Sequence, residues 1–169
     1  MIHEEHEEPR SNKFKEDTLN NLEEFFKQKV ERHGERTQAV DWEARKEKWI
    51  AALNQLYEMI EKWLQSSVQK GLIKTEYDDK IINEENIGRY TVRKMKLWVG
   101  TEQVSFDPKG TILIGSYGRV DMTGDDGAAM LMLFEWSEWE FAIRTPSLRR
   151  WPFTEESFSD VLKQVMRNE

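Results

Sequence analysis

The sequence predicts an α+β fold: an N-terminal helical hairpin, an antiparallel β-meander of about five to seven strands, and a C-terminal helix packed on the sheet. Three observations carry this. Apolar residues recur at spacings of three and four up to about residue 70, and again after residue 153, which is the helical period. Between them, short apolar runs are broken by Gly, Pro and Asp clusters. The breaks are too short for parallel crossovers, so neighbouring strands should run antiparallel.

Taken in order, residues 1–10 read as an acidic disordered tail ending near Pro9. Residues 11–71 form the expected hairpin. Its first helix has Phe14, Leu22, Phe25, Phe26 and Val30 on one face with Leu19 beside them, Ser11 or Asn12 as a cap, and Arg32, His33 and Gly34 at its end. Asp41 caps the second helix, whose stripe is Trp49, Leu53, Leu56, Ile60, Trp63 or Leu64, and Val68, and which ends at Gly71. At ~1.5 Å per residue this helix reaches about 45 Å, so part of it should project or pack along the first helix.

Residues 72–169 form the sheet and last helix. The expected strands are 73–77, 80–83, 89–98, 102–106, 111–115, 118–123, 128–134 and 138–144. Turn chemistry marks Val99-Gly100-Thr101, Asp107-Pro108-Lys109-Gly110 and Gly124-Asp125-Asp126-Gly127. The last helix is the best signed: Thr154 caps it, Glu155 and Glu156 fill its first turn, and Phe153 and Phe158 form a hydrophobic staple. Phe158, Val161, Leu162, Val165 and Met166 are its apolar stripe.

Two strands break the usual alternation. "AAMLMLF" and "TILI" are apolar at successive positions, which suits strands covered on both faces. Either the helices take opposite faces, or another copy or another protein completes one of them.

The totals narrow the chemistry. The 169 residues are 38% apolar and 34% charged, with aromatics at 11% and seven tryptophans, which suits a folded chain. Net charge is −7, which does not draw the whole molecule to nucleic acid or anionic lipid. Cysteine is absent, so disulfides, thiolate metal sites and cysteine nucleophiles are excluded. The N-terminus lacks the apolar core of a signal peptide, and the longest apolar run is seven residues, from Ala128 to Phe134. These readings point to a cytoplasmic protein with no membrane span.

The stretch "IGSYGRVDMTGDDG", residues 114–127, invites comparison with ligand loops. It lacks the lysine and following helix of a phosphate loop, the glycine spacing of a dinucleotide loop and the acid spacing of a calcium loop. A hairpin explains it, with Val120 and Met122 inward and Arg119 and Asp121 outward. The "HEEH" at His3 and His6 does not have zincin spacing, and the third histidine, His33, sits at a helix end. No catalytic residues, metal ligands or cofactor are expected, and the chain reads as not an enzyme.

Two sets of surface residues remain. The partner-binding set is Arg119, Asp121, Trp136, Trp139 and Trp151. Trp136 and Trp139 are three apart, so a regular strand cannot turn both rings inward. The alternative set, for nucleic acid, is Arg89, Arg93, Lys94, Lys96, Arg149 and Arg150, with aromatics interleaved. Alternation sends Arg89 and Arg93 to one face and Lys94 and Lys96 to the other, unless a bulge intervenes.

The pattern from Gly115 through Gly118, Arg119, Val120, Asp121 and Met122 to Gly124, followed by "FTEESFSDVL", resembles small bacterial proteins of no assigned activity. The resemblance covers about residues 60–167. It implies a bacterial or archaeal cytosolic protein, carries over no functional residue and implies nothing about catalysis. The sequence therefore leads to an expectation of a non-catalytic protein-interaction module, a subunit or adaptor of a larger assembly or a self-associating protein, with a nucleic-acid-binding accessory protein as the alternative.

Overall fold

A computed structural model describes residues 18–31, 40–111, 116–136, 138–144 and 146–168. The tail, Phe14, both proposed caps of the first helix, its proposed stop and the three histidines lie outside these residues, as does most of the 111–115 strand. The chain divides into two compact units, Met1–Asp41 and Trp42–Glu169.

In the first unit, residues 18–31 form helix α1. Leu19, Leu22, Phe25, Phe26 and Val30 lie along it and are between 46% and 71% exposed. Lys29 sits 5.8 Å from the centre of the Phe25 ring. Five large apolar side chains in water on a helix of this length are a configuration that packing would stabilise, because helices shorter than about 12–15 residues are marginal alone.

The second unit begins with α2, Trp42–Gln69. Seven strands follow: β1 Lys74–Glu84, β2 Gly88–Val99, β3 Glu102–Gly110, β4 Gly118–Gly124, β5 Gly127–Glu135, β6 Glu138–Ile143 and β7 Arg149–Pro152. Helix α3, Glu155–Val165, closes the chain. The strands pair in sequence order, every pair antiparallel. The expected α+β architecture, with N-terminal helices, a meander and a C-terminal helix on the sheet, is what forms.

α2 packs on the sheet through its middle, and Val68 near its end is 40% exposed. Trp49, Ala52, Leu53, Leu56, Tyr57 and Ile60 are all buried against strands of the sheet. It ends where Gly71 turns to φ +71°, a left-handed conformation that glycine adopts freely, and Leu72 N–H bonds back to the Ser67 carbonyl at 3.0 Å. α3 has the expected cap. Thr154 Oγ1 accepts from Ser157 N–H at 3.1 Å, and Ser157 Oγ returns the bond to Thr154 N–H at 2.8 Å. The Phe153 and Phe158 rings meet at 5.9 Å as a staple.

Both helices lie on the same face of the sheet. On β4, the alternate residues Gly118, Val120, Met122 and Gly124 face inward. A Cβ added to Gly118 would collide with the Trp49 ring of α2, and one added to Gly124 would collide with the Val165 backbone of α3. The two helices also meet, with Trp63 and Phe158 ring centres 5.6 Å apart. Among the described residues of this unit, no helix lies on the other face of β4–β6.

Three local expectations change. Segments 73–77 and 80–83 are one strand: Asp78 sits in β1 opposite Lys94, and its carboxylate meets Lys96 on the diagonal at 2.5 Å. The proposed Asp107-Pro108-Lys109-Gly110 turn is strand, part of β3. β2 parts from β3 beyond Met95, so Pro108 has no neighbour there to miss its absent N–H. Residues 149–152 form a strand, β7, that pairs with β6.

The β1–β2 hairpin twists as it leaves β3. Tyr90 and Val92 are buried at even positions, Met95 and Leu97 at odd ones. The register with β1 is continuous, so twist and not a bulge makes the switch. Two-stranded ribbons twist more than strands inside a sheet. The twisted tip is tied down by Glu84, which accepts from the Tyr90 hydroxyl at 2.5 Å, Thr111 N–H at 2.6 Å and the Thr111 hydroxyl at 2.9 Å. Lys80 donates to Asp107 and to the Pro108 carbonyl.

Candidate functional site

The outer face of β4–β6 is built by alternation. Arg119 and Asp121 on β4 stand opposite Met132 and Met130 on β5. These in turn stand opposite Glu140 and Ala142 on β6. The second apolar face of β5, legible in its sequence, is therefore this one.

Arg119 and Asp121 pair with each other. Nε meets Oδ1 at 2.7 Å and Nη2 meets Oδ2 at 3.1 Å, a two-pronged ion pair along one strand. Beside them lies a shallow depression of about 290 Å³, lined by Arg119, Asp121, Ala128, Met130, Ala142 and Arg144 among others. Ala128 is exposed and Met130 half-buried, whereas Met132, between Arg119 and Glu140, is only 5% exposed. Long polar side chains cover apolar floor in this way with their aliphatic stems. Arg150 closes the far side. Its guanidinium lies 4.0 Å from the Phe134 ring centre, and its Nε reaches Glu140 at 3.4 Å. Arg144 is exposed and has no ion pair among the described residues.

The tryptophans of the proposed partner set separate. Trp139 is 6% exposed and belongs to the core, its ring 6.0 Å from Trp49. It is not presented to a partner. Trp151 is half-buried and stacks on Phe141 at 5.7 Å. Trp136 is half-buried and stacks on Tyr117 at 4.4 Å. Lys48 lies 5.7 Å from the Trp136 ring, and Arg45 lies 5.7 Å from Tyr117 and 5.6 Å from Trp42. This group ties the start of α2 to the 117–136 region.

The basic set does not converge. Arg93 lies 4.3 Å from the Tyr77 ring centre and donates to Asn54 at 3.1 Å, so it braces β2 against α2. Lys96 is held by Asp78, whose hydrogen bond raises the lysine above its ordinary value. Arg89 is exposed and Lys94 half-buried. Arg149 and Arg150 sit on β7, five strand spacings from β2, on the order of 24 Å across the sheet.

The acids of the 124–127 turn have structural partners. Asp126 N–H donates to the Val165 carbonyl at 2.9 Å, and its carboxylate accepts from Asn168 N–H at 3.1 Å. Asp125 meets Arg167 at 3.0 Å. The turn therefore anchors the end of α3. Among the described residues no group of three or more His, Asp or Glu is placed to hold a metal ion. None of the described helices is long and apolar enough to cross a membrane.

A larger hollow, about 420 Å³, lies where α2 turns into β1, beside Leu72, Ile73 and Trp98. Its polar groups are engaged. The Trp98 indole donates to Glu76 at 3.1 Å, and Lys74 pairs with Glu76 at 2.8 Å. Hydrogen bonds from Lys74 and Trp98 hold Glu76 below its ordinary value.

Sequence reasoning marked Arg119 and Asp121 but missed Met130, Ala142 and Arg144. The double-sided apolar pattern of β5 and the parity of β6 were the available signals. Compared with protein-family models, curated proteins and solved structures, the chain matches nothing.

Proposed function

We propose that this protein is a non-catalytic interaction module that docks a protein partner on the outer face of β4–β6. One observation carries the reading: α2 and α3 share one face, yet β5 is apolar on both. An antiparallel sheet that faces water alternates. Here Ala128, Met130, Met132 and Ala142 instead form a continuous apolar floor rimmed by charge, open to solvent at Ala128 and part of Met130 and covered at Met132 and Ala142. The open end of this floor is where a partner would dock. The exposed stripe of α1 supports the same reading independently.

The nucleic-acid reading has less support. Arg93, Lys96 and Arg150 are already engaged, and the two basic groups lie five strand spacings apart, on β2 and β7.

Light scattering at micromolar concentration and co-purification from the native host test the proposal. A dimer or higher species, or a stoichiometric partner, is expected. A monomer that co-purifies with nothing removes the reading. A mobility-shift assay with single-stranded and duplex nucleic acid tests the alternative, because phosphate contacts weaken steeply with salt.

A further inference from the structure

We infer that the occupant of the β4–β6 face is an acidic amphipathic segment of a partner, whose apolar side chains meet Ala128 and the exposed part of Met130 and whose carboxylate reaches Arg144. The inference rests on the docking reading above and adds the chemistry of the partner.

Charge is the first argument. The chain carries −7 overall, yet the rim of this depression has Arg119 and Arg144 against Asp121. Arg119 is held by Asp121, and Arg150 by Glu140. That leaves Arg144 as the rim cation without an ion pair among the described residues. A carboxylate brought to it makes a new pair beside a surface that excludes water, where it is worth more than in bulk solvent. A lysine brought there meets repulsion from Arg144.

Size is the second. Three strands make a strip about 10 Å wide, and the outer residues of β5 run about 20 Å along it. That is on the order of 200 Å², well under the ~800 Å² per partner that stable globular pairs bury. A helix, about 10 Å across, matches the width. The depression of about 290 Å³ is at the lower edge of small-molecule sites and suits side-chain anchors. One rim cation without an ion pair among the described residues is also too little for a phosphate backbone, which is held by several.

The test uses the full chain, labelled with nitrogen-15, and two synthetic helical peptides with the same leucine stripe. One is flanked by glutamates and the other by lysines. The glutamate peptide should shift the amides of residues 128–132 and 142–144 and bind at least about fivefold tighter than the lysine peptide. Arg144→Glu should reverse that preference, and Arg144→Lys should keep it. Because Arg144 is exposed, both variants should keep the wild-type amide spectrum elsewhere. Equal affinities, or shifts confined to other surfaces, overturn the inference. If neither peptide binds while Met130→Asp still abolishes native co-purification, the acidic-segment inference fails and the docking reading stands. If Met130→Asp leaves co-purification intact, the docking reading itself fails.

Discussion

Gly118 lies beneath the ring of Trp49, so close that a single added methyl group would overlap the indole. Gly118 has no positive φ, so the glycine is needed for space and not for backbone freedom. This contact sets how near α2 comes to β4. Gly118→Ala should destabilise the protein by about 2 kcal/mol through overpacking. Combined with Trp49→Leu, it should cost less than the sum of the single changes by about 1 kcal/mol or more. Urea unfolding of the four proteins measures this; additive losses would show that the two residues do not compete for the same space.

At the other end of the same strand, Gly124 faces the Val165 backbone. A main chain cannot rotate away as a side chain can. Gly124→Ala should therefore also cost about 2 kcal/mol, and the change should loosen the end of α3. Hydrogen exchange at Asp126, whose N–H is bonded to Val165, should rise with it. Unchanged exchange at that amide would contradict the contact.

Asp107 gives a pH dependence. Burial acts to raise its carboxyl, but hydrogen bonds from Lys109 and Lys80 outweigh this and leave it below its ordinary value. A depressed folded value means the stabilisation is complete above the unfolded value of about 4 and is lost as pH falls through the folded one. Asp107→Asn should cost about 1 kcal/mol at pH 7 and progressively less at acid pH as the carboxyl protonates. A cost that stays the same at both would place its cause outside this titration.

Glu84 collects three donors at the twisted hairpin tip, and Thr111 beside it is fully buried. Glu84→Ala strands the Thr111 N–H and should cost about 3 kcal/mol, readable as a lower urea midpoint. A loss under about 1 kcal/mol would show that the tip is held by other contacts.

Local chemistry was legible and long-range geometry was not. The cap and staple of α3 could be read because Thr154, Ser157, Phe153 and Phe158 act on one another within a few residues. The second apolar face of β5 could be read because strand parity is a property of consecutive residues. Gly118 read only as the start of a strand and Gly124 as a turn residue, since what stands over them, Trp49 and Val165, is remote in sequence. Asp107-Pro108-Lys109-Gly110 has the chemistry of a turn, and it is a strand only because β2 has already turned away. Arg144 entered the candidate surface through register: Ala142 pairs with Met130, which sets the parity of the residue two beyond it.

The central claim is that the outer face of β4–β6 receives a protein partner, and Met130→Asp tests it most directly. Met130 is half-buried on the face away from both helices of its unit, so a charge there should leave the fold intact by circular dichroism and thermal midpoint. Quantitative co-purification from the native host should then show the wild-type chain with a partner in fixed ratio and the variant without it. Recovery of the same partner in the same ratio by a folded Met130→Asp chain would contradict the account.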